Sequence, residues 1–467
     1  MNHKKTFICF MSNHKILGAL AVMMAVGASC CVPVCAQQRM SLQSLYDLAD
    51  QQNQHIKVSE AALKAAEEGV ASAKSAMLPS VELSVQGSYT GNAFMMSRGF
   101  STSGTTEYIV PGLGPQQVEN GKQPTPHWGN SFTAQATQVI YAGGAIRSGI
   151  EMAKLGQRIA ELDVEKNRQE VRFLLTGHYL DLYQLQNQLQ VIAKNIELTE
   201  KVIAQMKARR AQGTVLKNDI TRYELQRQSL LLAKTQVDDA QKIIRHQIAT
   251  TIHLPEGEDF QVEELSYDDA ALRHDEEALW QQTASDHNID IRQASLASSL
   301  TEQKLRNTRA ASLPSVAVVA ENNLFGPYTS DLIPKDANVN AWFIGIGVKY
   351  NLSSLWKNKH DIRKAQHEHA EARERVLLAR EGVENGVQAS YTQLLTSSVE
   401  VHTQEKQVEL ADENYSVVRN RYANDLALLT DMLDASNTKL SAEMALVNAR
   451  IQMLYNYYKL KYLTHTL

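Results

Sequence analysis

Two short stretches of the sequence decide the fold: AMLPSV at residues 76–81 and ASLPSV at residues 311–316. Each follows a stretch rich in Ala, Lys and Glu, residues 42–77 and 277–312, whose composition predicts a helix. The proline in each stops that helix, and the residues after it are predicted to be extended. Because the same order of elements follows both stretches, the sequence predicts an internal repeat.

A second pair of matching stretches supports the repeat. The run RRAQG at residues 209–213 aligns with RYAND at residues 421–425, and each is followed by an Asp and an apolar residue at 219–220 and 431–432. The predicted repeats are residues 37–254 and 277–467, each with one helix, a strand pair and a long helical hairpin. Residues 255–276 are rich in Asp and Glu, which is typical of a solvated linker.

The predicted strands alternate apolar with polar or small residues, as a sheet wetted on one face does. A soluble sandwich gives the same alternation. Two features favour a membrane: the strands have about 10 residues, the length of a bilayer crossing, and aromatic residues gather near their ends. These aromatic residues are Tyr89, Phe94, Trp128, Trp342, Tyr350 and Trp356. Four strands are too few to close a conducting barrel, so several chains are expected to share one.

The predicted helices are too long for a single globule. Residues 145–206 contain no Pro and carry apolar residues in steps of three and four, which predicts a coiled-coil seam in a helix of ~90 Å. The seam consists of Leu175, His178, Leu182, Leu185, Leu189, Ile192, Ile196, Thr199, Ile203 and Met206. The second half repeats the pattern. We therefore expect two antiparallel hairpins, turning near Gly213 and near Asp425.

The N-terminus predicts export. Lys4, Lys5 and Lys15 precede an apolar run at residues 16–28, which is too short to span a bilayer and has the length of a signal-peptide core. Cleavage after Ala36 makes residues 1–36 the signal peptide. Lipoprotein processing at Cys30 is the alternative.

Composition and motifs exclude several classes of function. The 51 acidic and 47 basic side chains give a net charge of −4, which argues against nucleic-acid binding. His360, His367 and His369 lie on one predicted helix, but no two are four residues apart as a helical metal site requires. No nucleophile elbow or Cys/His dyad occurs. The sequence predicts no enzyme, no cofactor and no metal site.

The repeated Leu-Pro-Ser strand openings, the long hairpins and the Arg-Tyr…Asp-Met-Leu-Asp run at residues 421–434 resemble the TolC-type outer membrane efflux proteins. The resemblance implies a mainly α protein with a small transmembrane β portion. It implies a homotrimer in the bacterial outer membrane, with a shared 12-stranded β-barrel and a helical tunnel through the periplasm. It also implies two partners, a periplasmic adaptor protein and an inner-membrane pump of RND or ABC type.

The resemblance assigns residues as well. Tyr422, Asp431 and Asp434, with Asp219 in the first half, would form a gate at the periplasmic tip. The hairpin turns would dock the adaptor and pump; their residues are Gly213, Thr214, Asn424 and Asp425. The chain departs from the family at Asp425, where a Gly is usual, and at Ala427, where a basic residue is sometimes found. Arg419 and Arg421 are possible substitutes for that basic residue.

The acidic tip has two interpretations. Asp431 and Asp434 share a helix face, so threefold symmetry would gather six carboxylates in a ring that attracts cations. Alternatively, they stabilise a helix N-terminus capped by Thr430. For the whole chain, the alternatives are a periplasmic coiled-coil adaptor, which would have one hairpin between β-domains, and a porin, which would be mostly strands.

Overall fold

The computed structural model describes residues 38–89, 105–110, 114–119, 127–254, 260–263, 265, 276–329, 334–335, 338–424 and 426–467. The predicted signal peptide, Phe94, Asp425 and most of the predicted linker lie outside these residues. Among the described residues, no helix combines the length and the apolar character needed to cross a bilayer.

The elements fall into two similar series. The first contains β1 (Gln38–Met40), α1 (Leu42–Gln52), α2 (Gln54–Ser75), β2 (Ser80–Tyr89), β3 (Thr105–Val110), β4 (Gly114–Glu119), β5 (Trp128–Ala142), α3 (Ala145–Ala211), α4 (Lys217–Ile252) and β6 (Phe260–Val262). The second contains α5 (Glu277–His287), α6 (Ile289–Ala310), β7 (Ser315–Gly326), β8 (Tyr328–Thr329), β9 (Pro334–Lys335), β10 (Val339–Lys349), α7 (Ser354–Lys357), α8 (Lys359–Ala423) and α9 (Leu429–Leu463).

The helix expected before each Leu-Pro-Ser stretch is broken in two, a break that the composition did not predict. Asn53 separates α1 from α2, and Asn288 separates α5 from α6. The side-chain oxygen of each Asn accepts a hydrogen bond from the backbone N–H two residues later, at 2.8 Å from His55 and 2.9 Å from Asp290. Each amide nitrogen donates to the end of a long helix, at Thr251 O and Leu463 O. The two repeats thus anchor the first helix pair to the returning helix in the same way.

The long helices form the predicted hairpins. The helix α3 has 67 residues, a length of ~100 Å, and continues to Ala211, beyond the predicted seam. Gly213 has φ +75° in the turn to α4, a conformation that favours glycine. Six seam residues are buried; they are Leu175, Leu182, Ile192, Thr199, Ile203 and Met206. The largest core surrounds Leu175 and Tyr179, both with 0% exposure, where α1, α3, α4, β1 and β6 meet.

Four of the strands form one antiparallel sheet in the order β10-β7-β5-β2. Its register aligns the apolar positions across the strands, so that Val81, Ala136, Ala320 and Ile344 share one face. The residues beside them, Glu82, Gln135, Glu321 and Phe343, lie on the other face. The edges of the sheet, β2 and β10, have no further strand partner among the described residues.

A β-bulge sits at the helix-proximal end of β5, where the register shifts between Val139 and Tyr141. Alternation alone would place Tyr141 on the polar face with Val139. Because the bulge adds one residue, Tyr141 instead pairs with Val316, whose other neighbour is Val348 on the apolar face. The bulge therefore moves an aromatic side chain to the apolar face at the end of the sheet.

Candidate functional site: the hairpin tip

The two hairpins of one chain meet at their turns. A hydrophobic cluster joins them, with core residues Val202, Ile203, Met206, Ile220, Tyr223, Leu429 and Met432. Ile220 and Met432 directly follow the predicted gate residues Asp219 and Asp431 in the sequence. The structure therefore brings the two acidic turns, which lie far apart in the chain, onto one packed cluster.

Asp219 and Asp431 have the same local role. Each is the third residue of its helix, and its carboxylate accepts a hydrogen bond from the backbone N–H of the residue before the helix. The distances are 3.4 Å from Leu216 N to Asp219 and 3.0 Å from Leu428 N to Asp431. A carboxylate here satisfies an orphan N–H and lies favourably in the helix dipole.

The expectation that Thr430 caps α9 is wrong. The residue before the helix is Leu428, with extended φ −79° and ψ 155°, and α9 begins at Leu429. A leucine has no side-chain acceptor, so the capping oxygen comes from Asp431 within the first turn. The helix-end interpretation of Asp431 therefore has a direct structural basis, although its predicted capping residue was misplaced.

Tyr422 links the second hairpin to the first. Its side chain packs partly buried against the tip cluster. The guanidinium carbon of Arg209, from the first hairpin, lies 5.7 Å from the centre of the Tyr422 ring, within the range of a cation–π interaction. The sequence had suggested Arg419 and Arg421 for a basic role, but both side chains are exposed. The repeat alignment pairs Arg209 with Arg421, so it would have extended the basic role to Arg209.

The other predicted residues lie on the surface of the tip. Asp434, one turn beyond Asp431, is exposed. Thr214 and Asn424 are exposed, and each donates to a helix-terminal carbonyl, Thr214 to Arg209 O at 3.1 Å and Asn424 to Asn420 O at 2.8 Å. Gly213 is exposed as well, and Asp425 lies outside the described residues.

Apolar side chains at the turns were missed by the sequence analysis. Leu216, Leu426 and Leu428 are 72%, 68% and 69% exposed. Exposed apolar groups clustered beside a packed core are typical of an interaction surface. Leu216 and Leu428 each precede a helix-capping carboxylate by three residues, so the tip presents exposed apolar side chains beside acidic ones.

A buried tyrosine lies in the tip cluster. Tyr223 is 2% exposed, and its hydroxyl has no hydrogen-bond partner among the described residues. Burial raises the pKa of Tyr223, and the neighbouring Tyr415 and Tyr422 raise it further. A tyrosine hydroxyl is neutral at physiological pH even without this shift, which extends its neutral range to higher pH.

The sheet presents a second candidate surface. On its apolar face, Val81, Leu83 and Val85 of β2 are 68%, 69% and 77% exposed. In β10, Ile344, Ile346 and Val348 are exposed to a similar extent, from 69% to 72%. On the other face, Ser131 and Thr133 donate to Asn323 Oδ1 at 3.4 Å and 3.2 Å. The predicted separation into an apolar and a polar face is confirmed by this register.

Comparison with known proteins places the chain in a family. The family model described as outer membrane efflux protein matches residues 45–248 and 280–464. The outer membrane protein TolC of Salmonella enteritidis is 22% identical over 450 residues, covering 92% of this chain and 83% of the relative.

Solved structures agree on the fold. The outer membrane protein VceC of Vibrio cholerae superposes with a TM-score of 0.71 at 16% identity, over 91% of this chain and 95% of that chain. The open state of the MtrE outer membrane channel of Neisseria gonorrhoeae gives a TM-score of 0.66 at 17% identity, over 91% and 88%. The adaptor alternative is not favoured by these matches. The chain therefore belongs to the outer membrane efflux protein family, whose members are outer membrane channels and not enzymes.

Proposed function

We propose that three copies of this chain form one export conduit, in which the sheets close into a shared barrel and the hairpins form a tunnel. The single observation that carries the proposal is the open four-stranded sheet, with an exposed apolar face and with edges, β2 and β10, that pair with no other strand in the part of the chain that the structure describes. In lipid, every strand N–H and C=O needs a partner, and pairing β2 of one copy with β10 of the next supplies it.

The helices support the same assembly. Leu225 and Leu232 of α4 are 64% and 60% exposed and lie seven residues apart. Leu410 and Val417 of α8 have the same spacing and are 53% and 50% exposed. A spacing of seven residues places the two side chains of each pair on the same helix face, as in a coiled coil. A neighbouring copy would cover these side chains, which the described residues of one chain leave exposed.

The two similar series of elements favour division of the mature chain into repeats at 37–254 and 277–467. In the proposed trimer, two similar repeats from each chain would surround the conduit with approximate sixfold symmetry. The signal peptide 1–36 would direct the chain across the inner membrane. Cargo would pass from an inner-membrane pump of RND or ABC type, through a periplasmic adaptor, into the conduit. The exposed leucines beside Gly213, Thr214, Asn424 and Asp425 would contact the adaptor.

The tip would act as the gate. Asp431 and Asp434, repeated by threefold symmetry, would form a ring of carboxylates that favours cations. The Arg209–Tyr422 contact would hold the two hairpins of each chain together beside Asp219. A change at Asp434 tests the gate without disturbing helix capping, because Asp434 lies one turn beyond the capping residue Asp431.

Two measurements test the proposal. Native mass determination in detergent should give a species of three chain masses; a monomer would refute the shared barrel. In planar bilayers, the D431A/D434A and D434A variants should both raise the conductance of the closed channel, and D434A should do so without removing a helix cap. Unchanged conductance in both variants would refute the gate while leaving the conduit in place.

A further inference from the structure

The two repeats leave the sheet in different ways. Gly143 and Gly144 alone join β5 to α3, with φ of +63° and +90°. In the second repeat, residues 350–358 join β10 to α8 and include the one-turn helix α7. This longer connection carries exposed apolar side chains: Tyr350, Leu352, Leu355 and Trp356, which are 42%, 60%, 57% and 64% exposed. Nothing in the first connection corresponds to them.

Basic residues surround this connection. Residues 349–364 contain five basic side chains and one acidic side chain, in a protein whose net charge is −4. They are Lys349, Lys357, Lys359, Arg363, Lys364 and Asp361, and all six are exposed. The Nζ of Lys364 lies 3.9 Å from Oε1 of Glu368, which is a long distance for an ion pair. In the corresponding part of the first repeat, Lys154 is paired with Glu151 at 2.7 Å. The second repeat therefore concentrates positive charge at one end of the sheet.

The position of the connection relates it to the apolar face. Lys349 at the end of β10 pairs with Ser315, so the connection begins where the sheet ends. Ile344, Ile346 and Val348 lead along the apolar face to this same end. The bulge in β5 brings Tyr141 to that face. Tyr141 pairs with Val316, which pairs in turn with Val348 on the next strand. The apolar face thus continues into aromatic residues and then into the lysines.

We propose that residues 350–358 and the basic first turns of α8 are a docking surface for anionic phospholipid headgroups on the helical side of the membrane. The proposal rests on the proposed insertion of the sheet into a bilayer. Trp and Tyr favour the membrane–water interface. Lys and Arg beside a membrane segment attract anionic lipids, while their stems lie along apolar surface. An acidic protein partner fits less well, because the lysines adjoin the face that lipid chains would cover.

Tryptophan depth tests the placement. Of the four tryptophans, Trp342 lies within β10 on the apolar face and Trp356 lies in the connection. Full-length variants that retain one of these two, with the other three replaced by Phe, are reconstituted into vesicles with brominated lipids. We expect acyl-chain bromines to quench Trp342, and shallow bromines to quench Trp356 more than deep ones. If Trp342 is not quenched, the proposed function fails; if only Trp356 is not quenched, this inference alone fails.

Lipid charge is tested with a matched pair of variants. In the variant that retains only Trp356, K357Q/K359Q removes Lys357 of the connection and Lys359 at the start of α8. The control K201Q/K242Q removes two exposed lysines of the first hairpin. Brominated phosphatidylglycerol should quench Trp356 more than brominated phosphatidylcholine does. This preference should fall about tenfold in K357Q/K359Q and remain in K201Q/K242Q. An unchanged preference in K357Q/K359Q would overturn the proposal. So would a variant that keeps its preference for phosphatidylglycerol but no longer binds a protein partner.

Discussion

The core around Leu175 and the four-stranded sheet differ in how complete they are within one chain. At the core, α1, α3, α4, β1 and β6 bury Leu175 and Tyr179 fully. In the sheet, the side chains of Ile346 and Val85 are 72% and 77% exposed, and the two edge strands have no outer partner within the described ranges. The core is thus fully packed within one chain, whereas the sheet needs other molecules to cover its apolar face and pair its edges. We expect mutations in the first region to reduce stability and mutations in the second to prevent assembly or insertion.

The largest effect is expected in the core. Leu175→Ala removes a side chain with 0% exposure and leaves a cavity, so the free energy of unfolding should fall by ~2–5 kcal/mol. Val58→Ala is the control, because Val58 is 69% exposed on α2 and should lose little. Thermal or urea unfolding followed by circular dichroism measures both. Equal stability of the two variants would contradict the packing described for this core.

In the sheet, a charge should discriminate between the two faces. Ile346→Lys places an ammonium group on the apolar face, where a lysine near the bilayer centre costs ~2–4 kcal/mol. Gly345→Lys, one residue away, faces the polar side, and an added Cβ there meets no atom within 4 Å. Folding into vesicles, followed by protease protection, should fail or slow for Ile346→Lys only. Equal insertion of both variants would contradict the assignment of faces.

The paired helix breaks compare the two repeats directly. Asn53→Ala and Asn288→Ala each remove a side chain that caps a helix and also donates to a distant helix end. Each change should lower the unfolding free energy by ~1–2 kcal/mol. Similar losses would show that the two anchors are equivalent. A loss at only one site would show that the repeats have diverged in stability at this position.

The smallest effect is expected at the tip caps. Asp219→Ala and Asp431→Ala each remove an acceptor for a backbone N–H, and each should destabilise its helix start by ~1 kcal/mol. Asp434→Ala should leave stability unchanged, because Asp434 lies outside the capping position. Local hydrogen exchange of α4 and α9 measures these changes. Faster exchange of α9 in Asp434→Ala would contradict the separation of capping from gating.

Much of this architecture could be predicted from the sequence, because long periodic patterns determine it. The alternation in residues 81–86 and the seam through Leu175 and Leu182 specified strands, hairpins and faces. The break at Asn53 was missed, since a single polar residue inside a helical composition gives no periodic signal. The Arg209–Tyr422 contact was missed because it joins residues of different hairpins, and the exposure of Leu216 depends on packing rather than on pattern.

The central claim is that the apolar face of the sheet meets lipid while the polar face lines a shared interior. All four cysteines lie within the first 35 residues, so a chain beginning at Gln37 is free of cysteine and accepts single spin labels. Labels at Leu83 and Ile346, in protein reconstituted into vesicles, should be accessible to oxygen. Labels at Ser84 and Gly345 should be accessible to a water-soluble nickel chelate. The reverse pattern, or access of the chelate to all four positions, would contradict the account.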